Sequence, residues 1–340
     1  MITKRRSTHR RAEMVWSFLA GSALAASACA VLWYASRRGA IVARNEEAIE
    51  EQKRKEEKRK ASFSNTKRQS NDDSVSKSSS SPLQQKTVVV TGASSGIGRA
   101  IAKAFHARGA NVAVGARRIE RLRELCDALN DASSSPTSRA IAVKTDVTSA
   151  SDVKNLVEKA EAAFGRPVDV LVNVAGVMYF TLMKNCKEDE WERTVDVNCK
   201  GVLNGFAAVL KSMCDRGQGH IITISSDAGR RVFKSLAVYS ASKHFVEALS
   251  EATRRELVGT GLRVTTIQPG DCATDLVREN TDKEALDELG IKAGAVVGEG
   301  WGNKWNVLEP EDVARAVLYA AEAPAHVAVN EVLIEPRDQE

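Results

Sequence analysis

The chain has 340 residues, 43% of them hydrophobic and 27% charged, with few aromatics: the make-up of an α/β protein with room for one large domain or two small ones plus appendages. The formal charge of +5 is modest, and the basic residues gather mostly before residue 70 without interleaved aromatics, which argues against nucleic acid as a partner. Six cysteines (Cys29, Cys126, Cys186, Cys199, Cys214 and Cys272) form no CxxC pair and have no histidine at ligand spacing, so no metal site is expected; their irregular spacing suits reduced, mostly buried thiols.

Residues 1–13 form a basic tail. Met14 to Tyr34 then runs for 21 residues without a formal charge. As a helix it would reach about 30 Å, the thickness of a bilayer core, and Trp16, Trp33 and Tyr34 stand where interfacial aromatics belong. A single-pass membrane anchor is expected, in the endoplasmic reticulum or another organelle. The rival reading is a cleaved signal peptide, for which Ala28-Cys29-Ala30 offers a small-residue site, although the apolar run exceeds the ~7–15 residues of such a segment. An apolar core helix is a third reading, weakened by basic residues on both flanks. The flanking charges mildly favour a lumenal catalytic domain, whereas the absence of NxS or NxT sequons and the unpaired cysteines lean to the cytosol.

Residues 35–85 read as a spacer. EEAIEEQKRKEEKRK pairs opposite charges three or four apart along a solvated helix, and a Ser-, Asn-, Asp- and Lys-rich linker ends near Pro82. From Lys86 onward β-branched runs alternate with amphipathic stretches: TVVVTG, NVAVGA, AIAVKTDV, VDVLVNVAG, HIITISS and LRVTTIQPG, each followed by a helical pattern. Buried strands alternating with helices predict a doubly wound parallel sheet, a Rossmann-like α/β fold over 86–340.

Thr91 to Gly98, TGASSGIG, closes the first strand and opens a helix, where glycines allow a tight turn and close approach of backbone to a pyrophosphate. The second strand ends on Arg117 and Arg118 with no acid, a pair suited to a 2′-phosphate, so NADP is expected in preference to NAD. Alternatively, each arginine is a solvent-facing charge on the next helix.

Tyr239 and Lys243 are four residues apart in YSASK, with Ser226 of ISSDAG thirteen residues earlier. On a helix the phenol and the ammonium share a face, and a fixed cation is a direct way to lower a phenol's pKa. Taken alone, the pair could equally be a surface lysine beside a half-buried tyrosine. TGASSGIG, NVAG at 173–176, the Asn of DVNCKG, ISSDAG, YSASK and QPG at 268–270, in this order, resemble the short-chain dehydrogenase/reductase family.

That resemblance implies alcohol–carbonyl interconversion with NADP(H). Tyr239 would be general acid or base, Lys243 would lower its pKa and bind the nicotinamide ribose, Ser226 would hold the substrate oxygen, and Asn198 a water behind Lys243. It places Thr91, Gly92, Ser94, Ser95, Gly96, Ile97 and Gly98 at the pyrophosphate, Asp146 and Val147 at the adenine, Asn173, Ala175 and Gly176 along the cofactor, and Pro269, Gly270 and Thr274 at the nicotinamide. Val174 departs from the family's NNAG. By the same resemblance a homodimer or homotetramer is expected, and residues 275–309, with Trp301 and Trp305, form a substrate lid. The anchor suggests a lipophilic substrate, while the ARRIERLREL run resembles bacterial NADP-dependent 3-hydroxy acid dehydrogenases. A non-catalytic cofactor-binding sensor, or an epimerase, would share the fold.

Overall fold

The computed structural model describes residues 81–132, 138–292, 294–297 and 306–339, with positions 50 and 54 alone before them. The run 14–34, most of the spacer, and Trp301 and Trp305 lie outside the described residues. Among the described residues no helix is long and apolar enough to cross a membrane.

Among the described residues seven parallel strands form one sheet in the order β3-β2-β1-β4-β5-β6-β7. They are β1 (Thr87–Thr91), β2 (Asn111–Ala116), β3 (Ala140–Lys144), β4 (Val170–Asn173), β5 (Gly219–Ile224), β6 (Leu262–Pro269) and β7 (Glu331–Ile334). The helices are α1 (Gly96–Ala107), α2 (Ile119–Asp131), α3 (Ala150–Phe164), α4 (Glu188–Val195), α5 (Gly201–Arg216), α6 (Ala237–Glu256), α7 (Lys283–Leu289) and α8 (Pro310–Glu322). A π turn, Asp196–Lys200, joins α4 to α5.

The continuous apolar strands are continuous because both faces are covered. In β1, Val88 and Val90 pack with Ile101, Phe105, Leu122 and Val317 from α1, α2 and α8, while Val89 points the other way, among Leu156, Phe206 and Val246 from α3, α5 and α6. This is period two read out on two sides of a sheet. Each fully buried Leu, Ile or Phe stabilises the fold by ~1.5–3 kcal/mol. The strand order reverses between β1 and β4, so the loops at their carboxyl ends part and leave a crevice.

Three local details depart from the expectations. Ser81 to Gln85, read as linker, form a turn whose Leu83 is buried in the core. The edge strand β7 had no counterpart among the expected strands. Of the thiols expected to be mostly buried, Cys126 and Cys272 are, and burial pushes both up to about 12, but Cys186 is exposed and Cys199 and Cys214 are half-buried.

Candidate active site

The helix N-termini differ in how their free N–H groups are met. Ser149 caps α3 with its hydroxyl, Asp282 caps α7, and Asp312 accepts from the backbone N–H of Glu309 at α8. Ser95, ahead of α1, makes no side-chain cap bond and the first turn of α1 holds no acid. The positive end of α1 is thus left to face the crevice, an arrangement that attracts an anion.

Backbone passes close by at this point. Gly92 has φ +69°, and a Cβ there would lie 2.7 Å from both Cα and N of Ala175. Thr91 secures the same junction, its Oγ1 accepting from the N–H groups of Val174 (3.1 Å) and Ala175 (3.4 Å). Because these contacts use backbone N–H groups, the valine at 174 is accommodated without loss of the junction.

A cavity of about 730 Å³ runs along the carboxyl ends of the strands. Of the expected residues, Gly92, Ser94, Ser95, Gly96, Ile97, Gly98, Arg117, Arg118, Asp146, Val147, Ala175, Gly176, Ser226, Tyr239, Lys243, Pro269, Gly270 and Thr274 line it. Thr91, Asn173 and Asn198 do not. They stand one layer behind, with Thr91 at the junction above and Asn173 against Gly205 of α5.

At the β2 end, Arg118 donates through Nη2 to Ser94 Oγ and Ser95 Oγ, both at 2.8 Å. Burial, then the neighbouring Arg121, lower its pKa, with Asp275 acting the other way. Asp146 is partly buried, which opposes its charge, yet hydrogen bonds from the Thr148 N–H and hydroxyl, with Arg193 and Arg117 nearby, hold its carboxyl below the ordinary value.

At the other end, α6 presents Tyr239 and Lys243 side by side, each 7% exposed, with Lys243 Nζ 5.6 Å from the tyrosine ring centre. Lys243 donates to the Ile224 carbonyl at 2.9 Å, and burial lowers its pKa to about 8 even though Glu247, one turn on, raises it. Burial pushes the Tyr239 phenol up, a side-chain hydrogen bond with Ser226 brings it down, and the Asp227 carboxylate adds to the rise. Burial thus sets the direction of the phenol's shift, and the Asp227 carboxylate acts the same way.

Ser226 Oγ donates to Asp227 Oδ1 (2.8 Å) and accepts from the Ala228 N–H (3.1 Å). Asn198, 1% exposed in the π turn, spends its side chain on protein groups: Nδ2 donates to the Val177 carbonyl (2.9 Å) and Ser242 Oγ (3.0 Å), and Oδ1 accepts from the Val177 N–H (2.9 Å). Ser242 Oγ in turn donates to the Tyr239 carbonyl at 2.7 Å, so the asparagine fixes the helix turn that carries the phenol.

Sequence reasoning passed over several wall residues: Met178, Tyr179, Phe180, Phe233, Asp227 and Gln339. Asp227 has a local signal, a charge beside the serine inside ISSDAG. From the segment after Thr274, Leu276, Glu279, Leu289 and Val297 join the same wall. Asp282 anchors that segment, accepting from the Leu182 N–H at 3.0 Å and from Asn185 Nδ2 at 2.9 Å.

The chain is similar to known proteins. Over 250 residues, 74% of this chain, it is 53% identical to glycine betaine reductase ATRR of Emericella nidulans, and this chain spans only 18% of that relative's length. Among solved structures, the closed form of a serine dehydrogenase complexed with NADP+ is 32% identical with a TM-score of 0.64, covering 74% of this chain and 96% of its own. An alcohol dehydrogenase from the archaeon Thermococcus sibiricus, complexed with 5-hydroxy-NADP, is 27% identical with a TM-score of 0.63, covering 75% and 98%. The family model for short chain dehydrogenase matches residues 86–285, and the chain belongs to the short-chain dehydrogenase/reductase family of oxidoreductases.

Proposed function

We propose that the protein interconverts an alcohol and a carbonyl compound with NADP(H). The observation that carries this reading is convergence: Tyr239, Ser226 and Lys243 meet on the wall of one cavity whose far end holds the uncapped start of α1 and Arg117 and Arg118.

The residues present fit the dinucleotide. Gly92, Gly96 and Gly98, with Ser94 and Ser95, line the cavity at the uncapped start of α1, and Arg118 with Ser94 and Ser95 offers cation and hydroxyl donors where a 2′-phosphate belongs. The two solved relatives with NADP or its derivative support the same choice. When bound, the dinucleotide supplies or takes up the hydride at the carbon of the reacting C–O group. The chain's own groups handle the oxygen. As negative charge develops there in reduction, the Tyr239 hydroxyl donates its proton, and the Ser226 hydroxyl steadies the oxygen with a hydrogen bond once it turns to the substrate from Asp227 Oδ1. A phenol kept neutral by burial is ready to donate. In the reverse direction it must first lose its proton, which favours higher pH.

The apolar side of the wall, with Met178, Phe180, Phe233, Leu236 and Leu289, supports a carbonyl on a lipophilic body. A second reading is favoured by the relatives: a small polar substrate such as a quaternary ammonium aldehyde or a 3-hydroxy acid, in line with the betaine reductase and the serine dehydrogenase. NADPH oxidation by the full chain against fatty aldehydes, betaine aldehyde and 3-oxo acids separates the two. Loss of turnover in Tyr239→Phe with retained NADPH binding supports the assignment, and normal turnover refutes it.

Two further proposals concern assembly and place. The charge-free run 14–34 supports a single-pass anchor in an organelle membrane, checked by alkaline extraction and protease protection of microsomes. Family resemblance supports a homo-oligomer, checked by light scattering in detergent.

A further inference from the structure

After β7 the chain turns back across the reaction end of the cavity. Gly270 N–H donates to the Ile334 carbonyl at 2.9 Å, Arg231 pairs with Glu335 at 2.7 Å, and Gln339 N–H donates to the Pro336 carbonyl at 3.1 Å, folding the segment onto the cavity wall. There the Gln339 side chain uses both ends of its amide. Nε2 donates to Asp227 Oδ2 at 3.0 Å, and Oε1 accepts from the Asp271 N–H at 2.9 Å. A Cβ at position 270 would lie 2.4 Å from Gln339 Oε1, so the approach depends on Gly270 having no side chain.

Resting on the oxidoreductase reading above, we propose that Gln339 is a positioning residue for binding of the carbonyl substrate and that it also sets how large a substrate the site accepts. It bonds the Ser226–Gly229 turn to the loop after β6. Through Asp227 it acts on Ser226: Oδ2 is held by Gln339 while Oδ1 receives the Ser226 hydroxyl at 2.8 Å, so one hydrogen bond fixes the carboxylate plane that orients the other. The amide is matched to its partners. A glutamate could still accept from Asp271 but would set a second carboxylate against Asp227, and an alanine would open the wall and leave Asp227 Oδ2 with its weaker 3.4 Å contact to Arg231.

The test uses the full chain, with steady-state kinetics on a short and a bulky aldehyde, NADPH titration by fluorescence, and hydrogen exchange of peptides over 226–229 and 270–272. Gln339→Ala is expected to raise KM for the short aldehyde about tenfold with kcat changed less than threefold, to favour the bulky aldehyde relative to wild type, and to leave NADPH affinity unchanged. Gln339→Glu is expected to be worse than Gln339→Ala. Combining it with Asp227→Asn restores a donor facing an acceptor, and should recover most of the lost KM. Unchanged KM ratios in Gln339→Ala, or a double variant no better than the two single effects combined, would overturn the proposal while leaving the oxidoreductase reading intact. A wild type inert toward every carbonyl overturns both, and exchange in both peptides of Gln339→Ala unchanged from wild type also overturns the proposal.

Discussion

Two glycines with nearly the same backbone angle and different surroundings test the close approach that shapes the cofactor end. Gly92 (φ +69°) would place a Cβ 2.7 Å from Ala175 Cα and N and 3.1 Å from the Val174 carbonyl carbon, all of them backbone. Gly165, at the end of α3 (φ +65°), has nothing within 4 Å of that position. A left-handed conformation costs an alanine ~1–2 kcal/mol, and overpacking against backbone that cannot swing aside adds ~1–3 kcal/mol. Gly165→Ala should therefore lose ~1–2 kcal/mol and Gly92→Ala ~2–5 kcal/mol. With about 2–4 °C per kcal/mol for a domain of this size, Gly92→Ala should lower Tm by about 4–20 °C. The displaced Ala175 backbone should also weaken NADPH binding about tenfold or more, which Gly165→Ala should not do. Thermal unfolding by circular dichroism and fluorescence titration read both effects. If Gly92→Ala melted no lower than Gly165→Ala and bound NADPH as wild type does, the argument from close approach would be refuted.

The remaining expectations concern the reaction end. Tyr239→Phe should reduce kcat by at least ~100-fold, the contribution of a positioned general acid, with NADPH affinity within a factor of three; a smaller loss of kcat would remove Tyr239 from the proton step. Lys243 has a native pKa of about 8 against an ordinary 10.5, so between those values the unfolded chain binds more protons and the lysine's contribution to stability rises with pH. Urea unfolding should find Lys243→Met most favoured relative to wild type below pH 8, where the difference is constant, and that difference shrinking by on the order of 3 kcal/mol toward pH 10.5, whereas a pH-independent difference would count against a buried, reluctantly charged lysine. Asp282→Ala removes the acceptor for Leu182, Asn185 and Ala285 at once, and should cost ~1–3 kcal/mol while raising KM more than it lowers kcat. Equal falls in kcat and kcat/KM with unchanged KM would place Asp282 outside substrate binding.

What the sequence made legible was whatever repeats locally. β1, β2, β4, β5 and β6 stand out because burial on both faces makes them rich in apolar and β-branched residues. β7 escaped notice because as an edge strand it alternates exposed and half-buried residues over only four positions. Tyr239 and Lys243 were readable because helical spacing alone brings them together. The side-chain partners of Asn198 and Gln339 were not, since they lie far along the chain: Ser242 and Val177 for Asn198, Asp227 for Gln339. The direction of the Tyr239 shift also lay beyond sequence, because it turns on how deeply α6 is buried and on a carboxylate next to Ser226.

The central claim is that hydride and proton reach one C–O group at the wall shared by Tyr239 and Ser226. The most direct measurement is isotope transfer: the full chain, NADPH deuterated at C4 of the nicotinamide, and the carbonyl panel above, with products read by mass spectrometry and NMR. Deuterium on the carbinol carbon of a product, stoichiometric with NADPH consumed and absent from Tyr239→Phe, is the expected result. NADPH that binds tightly but delivers no deuterium to any carbonyl carbon would contradict the account.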